Sequence, residues 1–337
     1  MIERLLSLID AIAQREVAVI GDVIADEFIY GQLSRVSREA PVLILKYDGT
    51  TVLPGGAGNA ATNVASLGGR AQLVGLLGYA DVDRRMLRAL PRGVNRSGLI
   101  RSRQYHAPVK TRILAGGSHS TRQQVVRVDR EASTPIDACT RTAFEQAVRQ
   151  SVMDCDAVLV SDYGSGLVTP NLVSLIKRVI KRSGRRPAVP VVVDSRFELL
   201  RYRGVTACTP NESEVEQALG VTIGDDSRRL ERAGRTLLRR LKSQGIVLTR
   251  GSRGMAVFVP GKRTVHVPVF GTDEVADVTG AGDTVIATVS LALAAGSSLD
   301  EAARLANYAG GLVVMKRGTA AVSADELRHV IQSDFSD

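Results

Sequence analysis

The stretch Asp277-Val278-Thr279-Gly280-Ala281-Gly282-Asp283-Thr284 sets a carboxylate behind three small residues and in front of a long apolar run. Glycines at 280 and 282 let the backbone approach an anion closely with its N–H groups turned inward. The run over residues 282–295 has helical character, and a helix starting there adds the positive end of its dipole at the same point. Charge building up on a transferring phosphoryl group is stabilised by such an arrangement. Asp283 then stands where it can accept the proton of an attacking hydroxyl. An Asp N-cap on a glycine turn satisfies the same eight residues.

Upstream of this segment, short apolar runs alternate with helical patterns. Strands are expected at residues 17–21, 72–76, 157–161, 189–194, 206–209 and 245–249, each of the kind a sheet buried on both faces requires. Helices are expected at 58–67, 81–90, 137–151, 170–182, 212–219 and 226–243, and in the last third at 282–295, 299–315 and 323–333. The alternation predicts an α/β fold: a mostly parallel sheet with helices on both faces, and ligands beyond the carboxyl ends of the strands. Two stretches break the rhythm. Residues 28–53 and 98–129 alternate apolar and polar side chains, as in Val42-Leu43-Ile44-Leu45-Lys46 and Lys110-Thr111-Arg112-Ile113-Leu114, the period of strands with one solvated face. They are expected to form a small β-sheet lid on a single domain spanning 1–337, closing over the substrate and excluding water.

Composition agrees with that class. At 337 residues with 44% hydrophobic side chains, the chain can fill one large α/β core. No apolar run approaches the roughly 20 residues of a membrane span, and the start lacks the pattern of a signal peptide, so a cytoplasmic protein with no membrane partner is expected. Cys139, Cys155 and Cys208 are odd in number and widely spaced, which points to neither a disulfide framework nor zinc, and they read as buried small apolar groups. The net charge of +9 raises the question of nucleic acid. Only seven of the 44 basic residues are lysine, however, aromatics amount to 4%, and tryptophan is absent, so stacking platforms for bases are scarce. The arginines read as a solvated surface with a few recruited to phosphates, and no nucleic-acid partner is expected.

Further constellations sit at expected strand ends. Pro54-Gly55-Gly56-Ala57-Gly58-Asn59-Ala60-Ala61 places glycines before a helix, leaving room for a polyhydroxylated ligand, with Asn59 as donor and acceptor. Asp22 follows the first strand and Asp26 lies four residues on; both suit vicinal hydroxyls, and a turn or cap carboxylate explains Asp22 as well. Asn211 and Glu214 share the opening turn of a helix, where Glu214 can hold magnesium through water or complete a capping box with Asn211. Thr249-Arg250-Gly251-Ser252-Arg253-Gly254 ends a strand in a glycine turn that can meet nucleotide phosphates or simply turn a hairpin.

Together these motifs, in this order, resemble the ribokinase (PfkB-type) family of carbohydrate kinases over essentially the whole chain. The two signatures are the Gly55–Asn59 turn and the 277–283 segment, with Asn211 and Glu214 between them. The closer likeness is to the branch that phosphorylates D-glycero-D-manno-heptose 7-phosphate at C1, on the way to ADP-heptose and lipopolysaccharide. It is carried by Gly21-Asp22-Val23-Ile24-Ala25-Asp26, Tyr30-Gly31, residues 34–42, Gln123-Gln124, Arg127-Val128-Asp129, Ser161-Asp162-Tyr163, Arg201-Tyr202-Arg203-Gly204 and 277–284. The resemblance implies a ribokinase-like fold, ATP and Mg2+ as cosubstrate and metal, and Asp283 as base with the backbone of Gly280, Ala281 and Gly282 as anion hole. Asn211, Glu214, Thr249, Arg250, Gly251, Gly254 and Asn307 then belong to the nucleotide and magnesium side. Asp22, Asp26, Gly55, Gly56, Asn59, Arg112 and Arg196 belong to the sugar phosphate. The resemblance further implies a monovalent cation, K+, at Asp277, Thr279 and the backbone of 316–318, and a homodimer whose lids meet.

The chain departs from the heptose-kinase pattern in its cations. Ser165 stands where a Lys is expected, Ser195-Arg196 where a Pro-Lys pair is expected, and Leu53 where an Arg is expected. Arg196 can compensate for one loss, since guanidinium and ammonium groups both bind phosphate, in different geometries. A kinase for another sugar, sugar phosphate or nucleoside is the alternative that these changes leave open. A silent sensor on the same fold and a dinucleotide-dependent dehydrogenase rank lower, the latter because no Gly-x-Gly-x-x-Gly turn follows the first strand.

Overall fold

The computed structural model describes residues 1–116, 122–132, 136–185, 188–271, 277–316 and 320–334. In chain order the elements are α1 (Ile2–Ile12), β1 (Glu16–Gly21), β2 (Val23–Val36), β3 (Leu43–Gly56), α2 (Ala57–Ser66), β4 (Arg70–Leu77), α3 (Asp81–Ala89), β5 (Val94–Arg101), β6 (Val109–Gly116) and β7 (Gln123–Arg130). They continue with α4 (Ala138–Asp154), β8 (Ala157–Asp162), α5 (Pro170–Ser183), β9 (Val191–Ser195), β10 (Ala207–Cys208), α6 (Glu212–Leu219), α7 (Ser227–Leu241), β11 (Gly245–Thr249), β12 (Met255–Phe258), β13 (Val265–Val267), α8 (Ala281–Ala294), α9 (Leu299–Val314) and α10 (Ala324–Asp334).

Nine strands form the large sheet in the order β13-β12-β11-β10-β9-β8-β1-β4-β5. From β11 to β5 every pairing is parallel, and the β11–β12 and β12–β13 pairings at one edge are antiparallel. β8 is buried along its whole length and β1 along all but its first residue, because helices cover both faces; this is why these strands read as unbroken apolar runs. β1 pairs with β4 on one side and β8 on the other. The chain order reverses at that point, and the reversal opens a crevice beyond the carboxyl ends of the strands. Asp22 leaves β1 there, and Tyr163 leaves β8 there.

The second sheet has the order β3-β2-β6-β7 and grows out of the core without a linker. β2 begins at Val23, two residues beyond the end of β1, and β3 runs straight into α2 at Gly56. Residues 98–101 depart from the expectation for the 98–129 stretch, since they complete β5 and pair with β4 in the large sheet. An edge strand has one neighbour and a partly solvated flank, so its side chains alternate much as those of a lid strand do.

Three elements carried no clear expectation. α1 packs Leu5, Leu8, Ile9 and Ile12 into the core, the i, i+3, i+4, i+7 spacing of an amphipathic helix. β12 and β13 extend the sheet beyond β11 through the glycine turn at 251–254. Cys155 and Cys208 are buried as expected, but Cys139 is exposed; it lies in the first turn of α4, two residues after the Asp137 N-cap. Among the described residues no helix is long and apolar enough to cross a membrane.

Candidate active site

Gly280, with φ 82°, caps the N-terminus of α8, a backbone angle that residues with a Cβ rarely adopt. A Cβ placed on Gly282 would meet nothing within 4 Å, so the space before the helix end is open. The first N–H groups of an α-helix have no intrahelical acceptor and face that space with the positive dipole end behind them; the Ala281 N–H already donates, at 3.3 Å, to the Val278 carbonyl.

Asp283 is 4% exposed. Its Oδ2 accepts a hydrogen bond from Asn59 Nδ2 at 2.8 Å and its Oδ1 one from the Tyr163 hydroxyl at 3.0 Å. Asn59 and Asn63 sit one turn apart on α2. Asn63 Nδ2 donates to Asn59 Oδ1 and to the Asn59 carbonyl, while Asn63 Oδ1 accepts from Thr284 Oγ1 at 2.9 Å. The amide of Asn59 is thereby oriented with its NH2 toward Asp283. Burial pushes the Asp283 carboxyl up to about 7, against the pull of the bonds from Asn59 and Tyr163.

Two carboxylates hold the turn that carries Tyr163. Asp22 Oδ2 accepts from the backbone N–H of Tyr163 at 2.8 Å and of Ser165 at 3.3 Å, and its Oδ1 from the Ser165 hydroxyl. Burial raises Asp22 to about 6 in spite of those donors. Asp162 accepts from the Gly164 N–H at 3.0 Å, and from the hydroxyls of Ser195 and Tyr202 at 2.7 Å each. Asp22 is therefore directed into the turn, and it is not among the residues lining the cavity. The hydroxyl of Ser165 is engaged in the same anchor.

The cavity beneath the lid holds about 380 Å3. Its floor is Gly280, Gly282 and Asp283; its walls include Asp26, Gly56, Asp194, Arg196, Asn211, Glu214 and Thr249, and the lid contributes Lys110, Arg112 and Arg127. Arg112 Nη1 donates to Asp26 Oδ1 at 2.5 Å, with both side chains nearly buried. A Cβ on Gly55 would come within 2.3 Å of Asp26 Oδ2, and Gly56 adopts φ 56°, so both glycines are needed where β3 turns into α2. Lys110 Nζ lies 4.7 Å above the centre of the Tyr163 ring. Burial first, and then the neighbouring Arg196, lowers the Lys110 ammonium from its ordinary value. Arg127 is bridged to Asp129 at 2.8 Å. A second cavity of about 510 Å3 adjoins the first and shares Lys110, Arg127, Tyr163 and Arg196 with it.

On the opposite wall Asn211 and Glu214 do form the capping box: Asn211 Oδ1 accepts from the Glu214 N–H at 2.9 Å, and Glu214 Oε2 from the Asn211 N–H at 2.9 Å. Both nonetheless line the cavity with Thr249. Asp194, at the end of β9, is held well above the ordinary carboxylate range by burial and by the charges of Glu214, Asp283 and Asp162. Arg250 lies outside the cavity, its Nε on Glu212 Oε2 at 3.0 Å. Gly251, with φ 56°, and Gly254, with φ 72°, shape the turn that leads to β12. Asn307 donates to the Pro268 carbonyl at 2.8 Å and borders a separate recess of about 190 Å3. Asp277 Oδ1 accepts from the Thr279 N–H at 2.9 Å; of the backbone expected beside them, 317–318 lies outside the described residues. Among the described residues no three metal-ligating side chains converge. Tyr163, Asn63, Lys110, Arg127 and Asp194 join the site without having been singled out as site residues from their sequence context, although Tyr163 and Arg127 lie in stretches that carry the resemblance.

A family model for the pfkB family of carbohydrate kinases matches residues 14–326. The chain belongs to that family. Among curated proteins it is 38% identical over 320 residues to bifunctional protein HldE of Desulfatibacillum aliphaticivorans, covering 94% of this chain and 63% of that protein. It is 40% identical over 339 residues to the protein of the same name from Caulobacter sp. strain K31, covering 100% of this chain and 67% of that protein. The chain thus spans about two thirds of the length of these relatives. Among solved structures, Arabidopsis thaliana ribokinase complexed with ribose and ATP superposes with a TM-score of 0.72 at 18% identity, covering 95% of this chain and 99% of that one. Phosphofructokinase-2 from Escherichia coli in complex with potassium gives 0.73 at 15% identity, with 95% and 99% covered. At such identities the structural likeness establishes the ribokinase-like fold.

Proposed function

We propose that the protein transfers the γ-phosphoryl group of ATP to the anomeric C1 hydroxyl of D-glycero-β-D-manno-heptose 7-phosphate, giving the 1,7-bisphosphate and ADP. The carrying observation is Asp283, held by Asn59 and Tyr163 at the N-terminus of α8 and facing a cavity roofed by Lys110, Arg112 and Arg127. Asp283 takes the C1 hydroxyl proton as that oxygen bonds to the γ-phosphorus, and the bond from phosphorus to the ADP oxygen breaks. The N–H groups at Gly280, Ala281 and Gly282 stabilise the transferring group. Asp26, Gly55, Gly56 and Arg112 border the sugar, and Asp22 serves it through the turn it anchors. Lys110, Arg127 and Arg196, shared between the two cavities, suit a substrate with a distal phosphate. The heptose kinase motifs, and relatives named HldE at 38% and 40% identity, support this substrate.

Asn211, Glu214 and Thr249 form the nucleotide side, with the Gly251–Gly254 turn, Arg250 and Asn307 behind them. Mg2+ would neutralise phosphate charge, and Glu214 would hold it through water. Asp277 and Thr279 would take a monovalent cation. The outer face of the lid, where Val126 and Val128 are exposed, forms a homodimer, and the enzyme works in the cytoplasm, where ATP is supplied.

A second reading, a kinase for another sugar or nucleoside, is favoured by one observation: Ser165, where a Lys is expected, spends its hydroxyl on Asp22. Coupled ADP release with Mg-ATP tests both, using the heptose 7-phosphate, the unphosphorylated heptose, ribose, fructose 6-phosphate and a nucleoside. Selective turnover of the 7-phosphate is expected; selective turnover of another acceptor replaces it with the second reading. Asp283→Asn should abolish turnover with nucleotide binding retained, and an active Asp283→Asn enzyme removes the base assignment.

A further inference from the structure

We propose that Tyr163 is a positioning residue for Asp283 that couples the base to the lid through Lys110. The inference rests on the reading of Asp283 as the base. Three contacts on three elements fix Tyr163. Its backbone N–H is on Asp22 at the end of β1, its hydroxyl is on Asp283 Oδ1 of α8, and its ring lies under Lys110 Nζ of the lid strand β6. The next residue, Gly164, is pinned separately by Asp162, so the direction of the ring is set by the core while its outer face is set by the lid.

A phenylalanine would fill the same space. What the hydroxyl adds is a hydrogen bond to one base oxygen, with Asn59 holding the other. That bond stabilises the ionised carboxylate, the form that accepts a proton. Burial and the charge of Asp283 push the phenol further above its ordinary range, so it stays a donor and never competes for the proton. The groups facing Asp283 come from five places: Asn59 on α2, Tyr163 after β8, Asp26 on β2, Lys110 on β6 and Asp194 on β9. Asn59, Tyr163 and Lys110 favour its ionisation, and Asp26 and Asp194 oppose it. Lys110 reaches the ring from the lid strand and favours ionisation of Asp283, so a lid in this position and a base that is ionised support each other.

The test is the pH dependence of kcat/KM. Tyr163→Phe should move the acid limb up by about half to one pH unit, the size expected for one lost hydrogen bond, and lower kcat/KM at pH 7 by about two- to sixfold. Lys110→Gln should move the limb in the same direction. Site-specific replacement of Tyr163 by a fluorotyrosine, a stronger donor of nearly the same shape, should move it down. This last variant decides the matter if Tyr163→Phe is too unstable to assay. An acid limb unmoved in Tyr163→Phe, or in the fluorotyrosine enzyme, overturns the positioning role. A limb that moves with Tyr163 but not with Lys110 overturns the coupling to the lid. Inert Asp283→Asn alongside an unmoved limb sinks only this inference, whereas active Asp283→Asn sinks the base assignment beneath it.

Discussion

Asp283 is under two opposed demands, since a proton acceptor must be ionised while its surroundings favour the neutral form. Burial raises its carboxyl from 3.8 to about 7. Between those values the folded chain keeps a proton that the unfolded chain has released, so stability falls as pH rises from about 4 to 7, and above 7 the whole penalty is present. Asp283→Asn removes the titration. The amide oxygen can still accept from Asn59, and its NH2 can face a Tyr163 hydroxyl rotated to accept. Thermal melts should show Asp283→Asn more stable than the parent at pH 8, by at most about 4 kcal/mol, with the gap closing toward pH 4; a gap that is constant with pH would contradict the burial argument. Turnover of the parent should run the opposite way, rising through about pH 7 as the base ionises. Asn59→Ala removes the donor to Asp283 and an acceptor of Asn63 together. It should cost about 1–3 kcal/mol in urea unfolding and depress kcat more than nucleotide affinity. Asp283 and Asn59 are each legible in the sequence, because glycine turns before helices announce them. Their contact spans 224 residues, and the bond of Tyr163 to Asp283 spans 120. No local pattern encodes pairings at that distance, and although Tyr163 lies in a stretch that carries the resemblance, nothing in its neighbours marks its hydroxyl as a partner of Asp283.

The junction of β3 with α2 joins the lid directly to the helix whose Asn59 holds the base. Gly55 lies against Asp26 on the neighbouring strand, and the nearest atom to an added Cβ, at 2.3 Å, is the carboxylate end of that side chain. A side-chain tip can yield where backbone cannot. Gly55→Ala should therefore fold, at a cost of about 1–3 kcal/mol for overpacking, but swing Asp26 off Arg112 and unpair a nearly buried guanidinium. Titration of the sugar substrate should show KM raised about tenfold or more, with the KM for ATP little changed; equal rises in both would mean a general loss of the fold. At this scale the sequence is most readable where burial is complete. Strands such as β8 and β11 and the helix α8 show themselves by their buried apolar runs, and α6, which buries Val215 alone, by its capping box, each within a residue or two of its ends. β5 and the β12–β13 pair do not: β5 is exposed along one flank and resembles a lid strand, while β12, though buried, is an apolar run of only four residues behind a glycine turn. The arginines divide similarly: Arg112 is drawn to Asp26, whereas Arg250, which suits a nucleotide phosphate by sequence, is drawn to Glu212. Side-chain pairing across separate elements decides such cases.

For the whole molecule, the reversal of strand order at β1 sets where chemistry happens, and the lid sets what is admitted. The lid sheet has two faces that the register separates. Lys110 pairs with Asp129 and Arg112 with Arg127, all toward the cavity, while Thr111 pairs with Val128 and Ile113 with Val126 on the other side. Val126 is 48% and Val128 47% exposed on that outer face, apolar surface that a lone lid leaves in water. A second lid covering it would remove that penalty and restrain the lid above Tyr163. The proposed homodimer should therefore run at twice the 36.0 kDa chain mass in light scattering. Val126→Glu combined with Val128→Glu, which places like charges in such an interface, should yield a monomer. Because Lys110 and Arg112 ride on the strand beside β7, the monomer should bind sugar more weakly, and its acid limb should move up in the direction expected for Lys110→Gln. A parent protein that runs as a monomer removes the lid dimer, and a double variant that remains a dimer places the contact elsewhere on the molecule.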